Sequence, residues 1–420
     1  TEYWRFQSMG NYIKEVTENY FIFDATIYNN GGWELHSMLI VYTFNGTNWE
    51  FHSLMEPFPQ SNATPIFLTG QAIEEKDGEL YIDNDKIKGF KYTDVYESIV
   101  TETTTPPART NHASVIYNNH LYVFGGMGGN RLSDLWKMDL STEVWTQVST
   151  TGPIDGTMDH TMHIYNNKLL VFGGTRFSGS SYYFVNTLWE LDLTQSPAVW
   201  TNKNNSITTS IPSSRHYHAT ALVNDHLFLF GGSDNSGRKN DVWKLDLINY
   251  AWENITTSGV SIPNLSHAII VINNNKMIIL GGDQNTHYNN SIMELDLNTY
   301  VCQTVVETIP GGIQIYNQYY GYQSGVYNNE LYMLYEIDSN SLGLYTLDLT
   351  NYTVDVLPIS MFKKIVYRRY PSLSIGNDTL YLFGGALETT GSSTLQKVPL
   401  NTPTVKGWYQ RFKIFIESQR

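Results

Sequence analysis

The sequence predicts an all-β protein built as a single β-propeller, and three features predict it. A phrase of about fifty residues recurs along the chain, each copy breaks into four short strand-like runs, and a Gly-Gly pair and a Trp hold fixed places within it. The copies run from His112 to Trp145 (HASVIYNNHLYVFGG, then DLWKMDLSTEVW), from His163 to Trp200, from His218 to Trp252 and from His267 to Val301. A unit of this size cannot bury its own apolar face, so it must stack on its neighbours.

Each element has a local reason. In the first copy, His112 to Tyr117 and Leu121 to Phe124 are apolar runs parted by Asn118-Asn119, residues suited to a tight turn. After Gly125-Gly126 comes a polar loop, then Asp134 to Leu140, a short turn, and Val144 to Val148. Four antiparallel strands with short joints form one small sheet, and radial repetition leaves only short, protected edges. The glycines let backbone approach backbone near the axis, where space is least. Trp145, Trp200, Trp252 and Trp408 are expected to fill the widening gap between neighbouring blades.

The glycine pairs begin at Gly125, Gly173, Gly231, Gly281 and Gly384, giving steps of 48, 58 and 50 residues and then 103. One copy without its glycines therefore lies in the long step, and Val326 to Leu334 followed by Leu344 to Leu349 supplies it. Outer strand pairs can be counted at 39–54 and 89–99 and in six later stretches ending near Val148, Thr201, Ile255, Val305, Val356 and Phe412. The expectation is eight four-stranded blades, or seven if residues 1–38 contribute only fragments. Residues 1–420 are read as one propeller domain, with divergent blades in 1–100 and clear ones in 108–412.

The combination of H-A, L-Y-V-F-G-G, D-L-W-x-x-D-L and a spaced Trp resembles the kelch repeat, a β-propeller family. The likeness is specific over 108–301, extends to about 412 and is weak in the first hundred residues. It implies a protein-interaction module. Arg109, Arg215 and Arg369 each precede a first strand; their repetition suggests a structural role on backbone carbonyls, whereas the resemblance implies that such arginines can grip acidic peptides.

Composition limits the partners. Lys plus Arg number 26 against 40 for Asp plus Glu, a formal charge of -14, and the only dense basic cluster is Lys363-Lys364 with Arg368-Arg369, so nucleic acid is not an expected partner. No apolar run reaches the 18 residues of a membrane-spanning segment. The single Cys302 excludes an internal disulfide framework and is expected to be a buried, inert thiol. Charged residues make up only 16%, a balance that suits an extracellular or cell-surface setting, with the cytoplasm as the alternative. Eight N-x-S/T sites, at Asn45, Asn62, Asn204, Asn254, Asn264, Asn289, Asn351 and Asn377, are glycosylation candidates. Their number barely exceeds the roughly six or seven that chance would give.

No motif calls for a cofactor, metal or catalytic group. His160 and His163 lie three apart and face opposite sides of a strand; His216 and His218 share a face, with Asp159, Asp234, Asp241 or Asp283 able to approach. Repetition explains His112, His218 and His267 more simply, as histidines at one repeat position satisfying backbone groups. The recurring acids Asp134, Asp139, Asp241, Asp246, Glu294 and Asp296 read as structural acceptors, since a catalytic pair should occur once. A copper-radical site would need Cys302 cross-linked to a tyrosine, and Tyr300 would sit beside it on the strand without a His pair near the axis.

The loops remain. Those joining second to third strands, at 127–133, 175–187, 233–240, 283–291 and 386–394, are expected to gather on one face, with the loops between blades mostly at the opposite end. The first set carries the expected binding residues Arg131, Arg176, Phe177, Tyr182, Tyr183, Phe184, Arg238, Lys239, His287 and Tyr288. Basic and aromatic groups on an acidic protein suit a carboxylate, a peptide, a protein or a glycan. The function expected is protein or ligand recognition; the alternatives are a secreted oxidase or carbohydrate-active enzyme with its site at the channel mouth, and a structural spacer.

Overall fold

The structure, a computed structural model, describes residues 105–178, 181–285, 287–307, 324–338, 341–357, 365–366, 369–387 and 390–400, together with the backbone of eight strands before residue 100. The chain divides into two compact units. One, comprising Thr1–Glu97, Leu357–Ile365 and Val398–Arg420, contains a four-stranded antiparallel meander of Arg5–Val16, Tyr20–Asn29, Gly32–Phe44 and Trp49–Met55. It also contains a three-stranded sheet of Ile73–Lys76, Glu79–Ile82 and Asp85–Lys86.

The other unit is the propeller, and it has six blades. Blade 1 is Ala113–Tyr117, His120–Phe124, Leu135–Asp139 and Trp145–Val148, from axis to rim. Blades 2, 3 and 4 repeat it with inner strands Thr161–Tyr165, Ala219–Val223 and Ile269–Asn273. Blade 5 begins at Ser324–Tyr327 and is the copy that lacks the Gly-Gly pair. Blade 6 takes Arg369–Gly376, Thr379–Leu387 and Leu395–Pro399 from the end of the chain and its outermost strand, Ser98–Ile99, from before blade 1. Leu395 pairs with Ile99 and Gln396 with Ser98, which closes the circle.

Six corrects the expectation of eight or seven. The expectation takes every outer strand pair for a blade. The meander strands run to 12, 10 and 13 residues against the five of a typical blade strand, and they pair among themselves. The stretch ending at Ile99 is the latch of blade 6 and not a blade. The expected pair near Phe412, with Trp408, lies outside the described residues.

The expected packing of the tryptophans is observed. Trp145, Trp200 and Trp252 are buried, and each sets its ring about 5 Å from the second-strand Phe of the preceding blade: Phe383 at 5.0 Å, Phe124 at 4.9 Å and Phe172 at 5.2 Å. The blade cores are thus shared between neighbours, as Phe124, Leu169, Val171 and Trp200 are in one cluster. Cys302 is buried among apolar side chains, and burial raises its thiol pKa.

The glycine pair is required by both space and conformation. Gly126 has φ +91°, and a Cβ there would stand 2.5 Å from the Thr110 carbonyl oxygen. Its N–H instead donates to the Thr157 carbonyl of the next blade at 2.8 Å. At the other end of the propeller the Asn-Asn and Asn-Asp turns act as ties. Tyr165 Oη donates to Asp225 at 2.7 Å, Tyr327 Oη to Asp378 at 2.9 Å, and Asn377 Nδ2 to Asn119 at 2.5 Å, each joining one blade to the next.

The repeated arginines and acids are structural. Arg109 and Arg215 are fully buried; each donates to the first glycine's carbonyl (Gly125 at 3.0 Å, Gly231 at 2.9 Å) and forks onto a carboxylate, Asp134 at 2.9 and 2.8 Å or Asp241 at 2.6 and 2.8 Å. The register puts Arg369 elsewhere: it pairs with Ala386 as Thr110 pairs with Met127. Asp139 and Asp246 cap the outer turns, accepting from the N–H of Ser141 and Ile248, which with neighbouring amides holds both carboxyls below their ordinary range.

Candidate functional site

A four-stranded antiparallel blade starts its inner strand on the side where its second strand ends. The loops between blades and the second-to-third loops therefore share one face, which corrects their expected separation. Paired backbone shows it directly: Thr110 bridges Met127, Met158 bridges Thr175, His216 bridges Ser233 and Ser266 bridges Asp283.

At the axis of this face five of the six blades present, among the described residues, one residue in left-handed conformation: Asn111, Asp159, Tyr217, His267 and Tyr370, with φ between 53° and 58°. They form part of a collar. Asn111 N–H donates to the Tyr370 carbonyl at 3.4 Å, Asp159 N–H to Asn111 at 3.1 Å and His267 N–H to Tyr217 at 2.9 Å. Asn and Asp accept this conformation cheaply, whereas for Tyr it is an outlier, and such strain concentrates at functional sites.

The collar also corrects the repeat alignment. His160, not His163, is the counterpart of His112 and His218, because Thr161 pairs with Phe172 as Ala113 pairs with Phe124. His267 holds the collar position one residue earlier. His216 and His218 do not share a face, since the positive φ of Tyr217 between them reverses the alternation.

From the collar a row of rings runs outward: His267 stacks on Tyr217 at 3.9 Å, Tyr217 lies tilted against His216 at 3.9 Å, His216 stacks on Phe184 at 4.0 Å, and Phe184 lies 5.9 Å from Tyr182. Asp159, 2% exposed, lies beneath. Its carboxylate accepts from Asn111 Nδ2 at 2.6 Å and Thr175 Oγ1 at 3.3 Å and lies 3.9 Å from His216 Nδ1. Burial first, then Asp159, pushes the Tyr217 phenol far above its ordinary value. Among the described residues no group of three or more His, Cys, Asp or Glu is arranged to hold a metal ion.

The second-to-third loop of blade 2 is a ribbon of Thr175–Ser178 paired with Ser181–Phe184. Tyr182 is 65% and Tyr183 43% exposed on it. Arg131 braces the ribbon from blade 1, donating to the Phe177 carbonyl at 2.6 Å with its guanidinium 5.2 Å from the Phe177 ring. Arg176 is buried, 5.8 Å from the Trp189 ring and 3.8 Å from Asp155. The structure thus brings Arg131, Phe177, Tyr182 and Phe184 together. Arg238 pairs with Asp283 at 2.5 Å and donates to Ser266 Oγ at 3.0 Å, and Lys239 pairs with Asp234 at 2.9 Å. His287 is exposed and Tyr288 half-buried on the blade 4 loop, where Asp283 bridges Tyr288.

The glycosylation candidates differ in access. Asn254, Asn264, Asn351 and Asn377 are exposed. Asn289 is buried, its Nδ2 donating to the carbonyls of Gly281 and Ser291, and Asn204 Nδ2 donates to Asn186. Asn45 and Asn62 lie outside the described residues.

Sequence reasoning missed the collar and its ring stack, because residues that meet there come from different blades. The one available signal was the place of Asn111, Asp159, Tyr217 and His267, each two residues before an inner strand.

Comparison with known proteins agrees with this architecture. The family model described as the KLHDC2/KLHL20/DRC7 Kelch-repeats domain matches residues 78–206 and 158–335, more than half the chain. Leucine-zipper-like transcriptional regulator 1 of Homo sapiens is 34% identical over 176 residues, covering 40% of this chain and 20% of that protein. Tip elongation aberrant protein 1 of Schizosaccharomyces pombe is 28% identical over 162 residues, 36% of this chain and 13% of that protein. The chain spans about a fifth or less of the length of these relatives. The structure of YjhT aligns with TM-score 0.50 and 15% identity over 70% of this chain and 94% of that one, a likeness of fold.

Proposed function

We propose, for a chain that belongs to the kelch-repeat family of β-propellers, that the collar face is a recognition surface for a protein or peptide. One observation carries the reading. Two tyrosines, 65% and 43% exposed, stand on a ribbon whose base is fixed by Arg131 and by the Phe184–His216 stack. Rigid aromatics held into solvent cost solubility and supply binding energy with little loss of conformational entropy. A displayed peptide library panned against the full chain and against Tyr182→Ser/Tyr183→Ser tests it. Selection of sequences that bind the wild type and lose at least tenfold on the variant supports the proposal; equal enrichment on both proteins ends it.

A second reading, an enzyme of the oxidase or carbohydrate-active kind, is favoured by the unrepeated group of Asp159, His216, Tyr217 and His267 at the channel mouth. Turnover of alcohols or glycosides that vanishes in Asp159→Asn with binding retained would favour it over recognition alone. The extracellular or cell-surface setting is likewise a proposal, and the exposed sequons Asn254 and Asn264 support it. Natively expressed protein whose mass does not fall on glycosidase treatment would count against it.

A further inference from the structure

His112, His160 and His218 share one pose. The Cε1 atom of each ring lies 2.6, 2.9 and 2.6 Å from where a Cβ would stand on Gly384, Gly125 and Gly173 of the preceding blade. Each ring is edge-on to that blade's phenylalanine, Phe383, Phe124 or Phe172. In this pose Nε2 meets a hydroxyl for two of them: His112 with Ser372 Oγ at 2.9 Å, and His218 with Thr161 Oγ1 at 3.3 Å. Ser372 and Thr161 hold one place in the register, opposite Phe383 and Phe172, and in blade 1 that place, opposite Phe124, is Ala113. His160 is therefore the one of the three without its hydroxyl. Its Nε2 is buried without a hydrogen-bond partner, while the Phe124 carbonyl acts on the ring as a backbone acceptor, as the Phe383 and Phe172 carbonyls do on His112 and His218.

Both His160 and Ala113 line a cavity of about 360 Å³ on the propeller axis. The wall is mixed: Ser114, Thr161, His163 and Thr220 of blades 1 to 3 supply polar groups beside Met162 and Leu222, whereas blades 4 and 5 contribute mainly Ile270, Ile272 and Val326. No Asp, Glu, Lys or Arg lines it among the described residues. Burial lowers His160 and His218 to about 3 and His163 to about 4, so the imidazoles are neutral at pH 7. A buried nitrogen that its fold leaves unpaired calls for an outside partner. Water alone meets the polar wall but leaves the apolar one wet.

We propose that the axial cavity binds a neutral polyhydroxylated molecule of monosaccharide size, one hydroxyl donating to His160 Nε2 and the C–H face of the ring resting on Ile270 and Val326. The site is independent of the ribbon, since neither Tyr182 nor Tyr183 lines it. The test uses the full chain labelled with ¹⁵N-histidine, its ring nitrogens followed by long-range ¹H–¹⁵N correlation. The probes are methyl α-glucopyranoside, sodium glucuronate and benzene. Saturable movement of His160 Nε2 by the glucoside, with at least tenfold weaker binding of glucuronate, is expected. Ala113→Ser supplies the hydroxyl present in the other two blades and should weaken the glucoside at least tenfold while keeping the thermal midpoint. No response to the glucoside, a response to benzene alone, or unchanged affinity in a folded Ala113→Ser overturns the proposal. If that variant does not fold, the wild-type titration decides by itself.

Discussion

Arg215 and Asp241 offer a test of how the blades tolerate buried charge. Arg215 donates to Asp241 at 2.6 and 2.8 Å, to the Gly231 carbonyl at 2.9 Å and to the Ser213 carbonyl at 3.1 Å. Blade 4 fills the same two places with Leu265 and Ser291, so the fold has an uncharged solution within its own sequence. Arg215→Leu leaves Asp241 facing a glycine carbonyl without its cation. Breaking a buried pair costs about 3–5 kcal/mol, and because the Asp241 side chain is 24% exposed, about 3 kcal/mol is expected. Arg215→Leu/Asp241→Ser copies blade 4 and should cost about 1 kcal/mol, so the two single losses should exceed the double by about 2 kcal/mol plus whatever Asp241→Ser costs alone. With an unfolding entropy of about 2.1 cal/mol/K per residue over roughly 300 residues, the single variant should melt about 5 °C lower and the double about 2 °C lower. Urea unfolding gives the free energies and calorimetry the midpoints. Losses that simply add in the double variant would refute the reasoning.

Three further outcomes follow from the packing. His163, whose Nε2 is 2.7 Å from Thr220 Oγ1, has its pKa lowered by burial to about 4. The unfolded chain takes up that proton near 6.5 and the folded chain does not, so stability is full above 6.5, falls with pH by about 1.4 kcal/mol per unit, and is lost by about 4. His163→Gln should flatten urea-unfolding free energies across that window by this slope, and an unchanged slope would count against it. Trp252→Ala removes a buried ring shared with Phe172 of the preceding blade and should cost about 3–5 kcal/mol in urea unfolding. Tyr182→Ser/Tyr183→Ser, outside every core cluster, should move the thermal midpoint by no more than about 1 °C.

The blades were legible because apolar alternation, Asn turns and Gly-Gly pairs are local and recur; even the decayed copy at Val326 to Leu334 kept its alternation. Blade number was not, because it depends on which edge the segment around Ile99 meets, and Leu395 is nearly three hundred residues away. Site residues were half legible. Tyr182 and Tyr183 stand out as aromatics in a polar loop, and the structure leaves them exposed. Arg238 and Lys239 gave the same signal but are held by Asp283 and Asp234, partners chosen by tertiary approach. Asp159, Tyr217 and His267 meet only because each ends a different crossing at the axis, and no periodicity along one strand records that.

The two-residue latch sets an order of events during synthesis. Ser98 and Ile99 leave the ribosome almost three hundred residues before Leu395 and Gln396, the partners they pair with. At about 5–20 residues per second, that wait is roughly 15–60 s. Throughout it, blades 1 to 5 can assemble only as an arc, exposing an unpaired inner flank at each end, and the nascent chain must be shielded there until its last blade arrives.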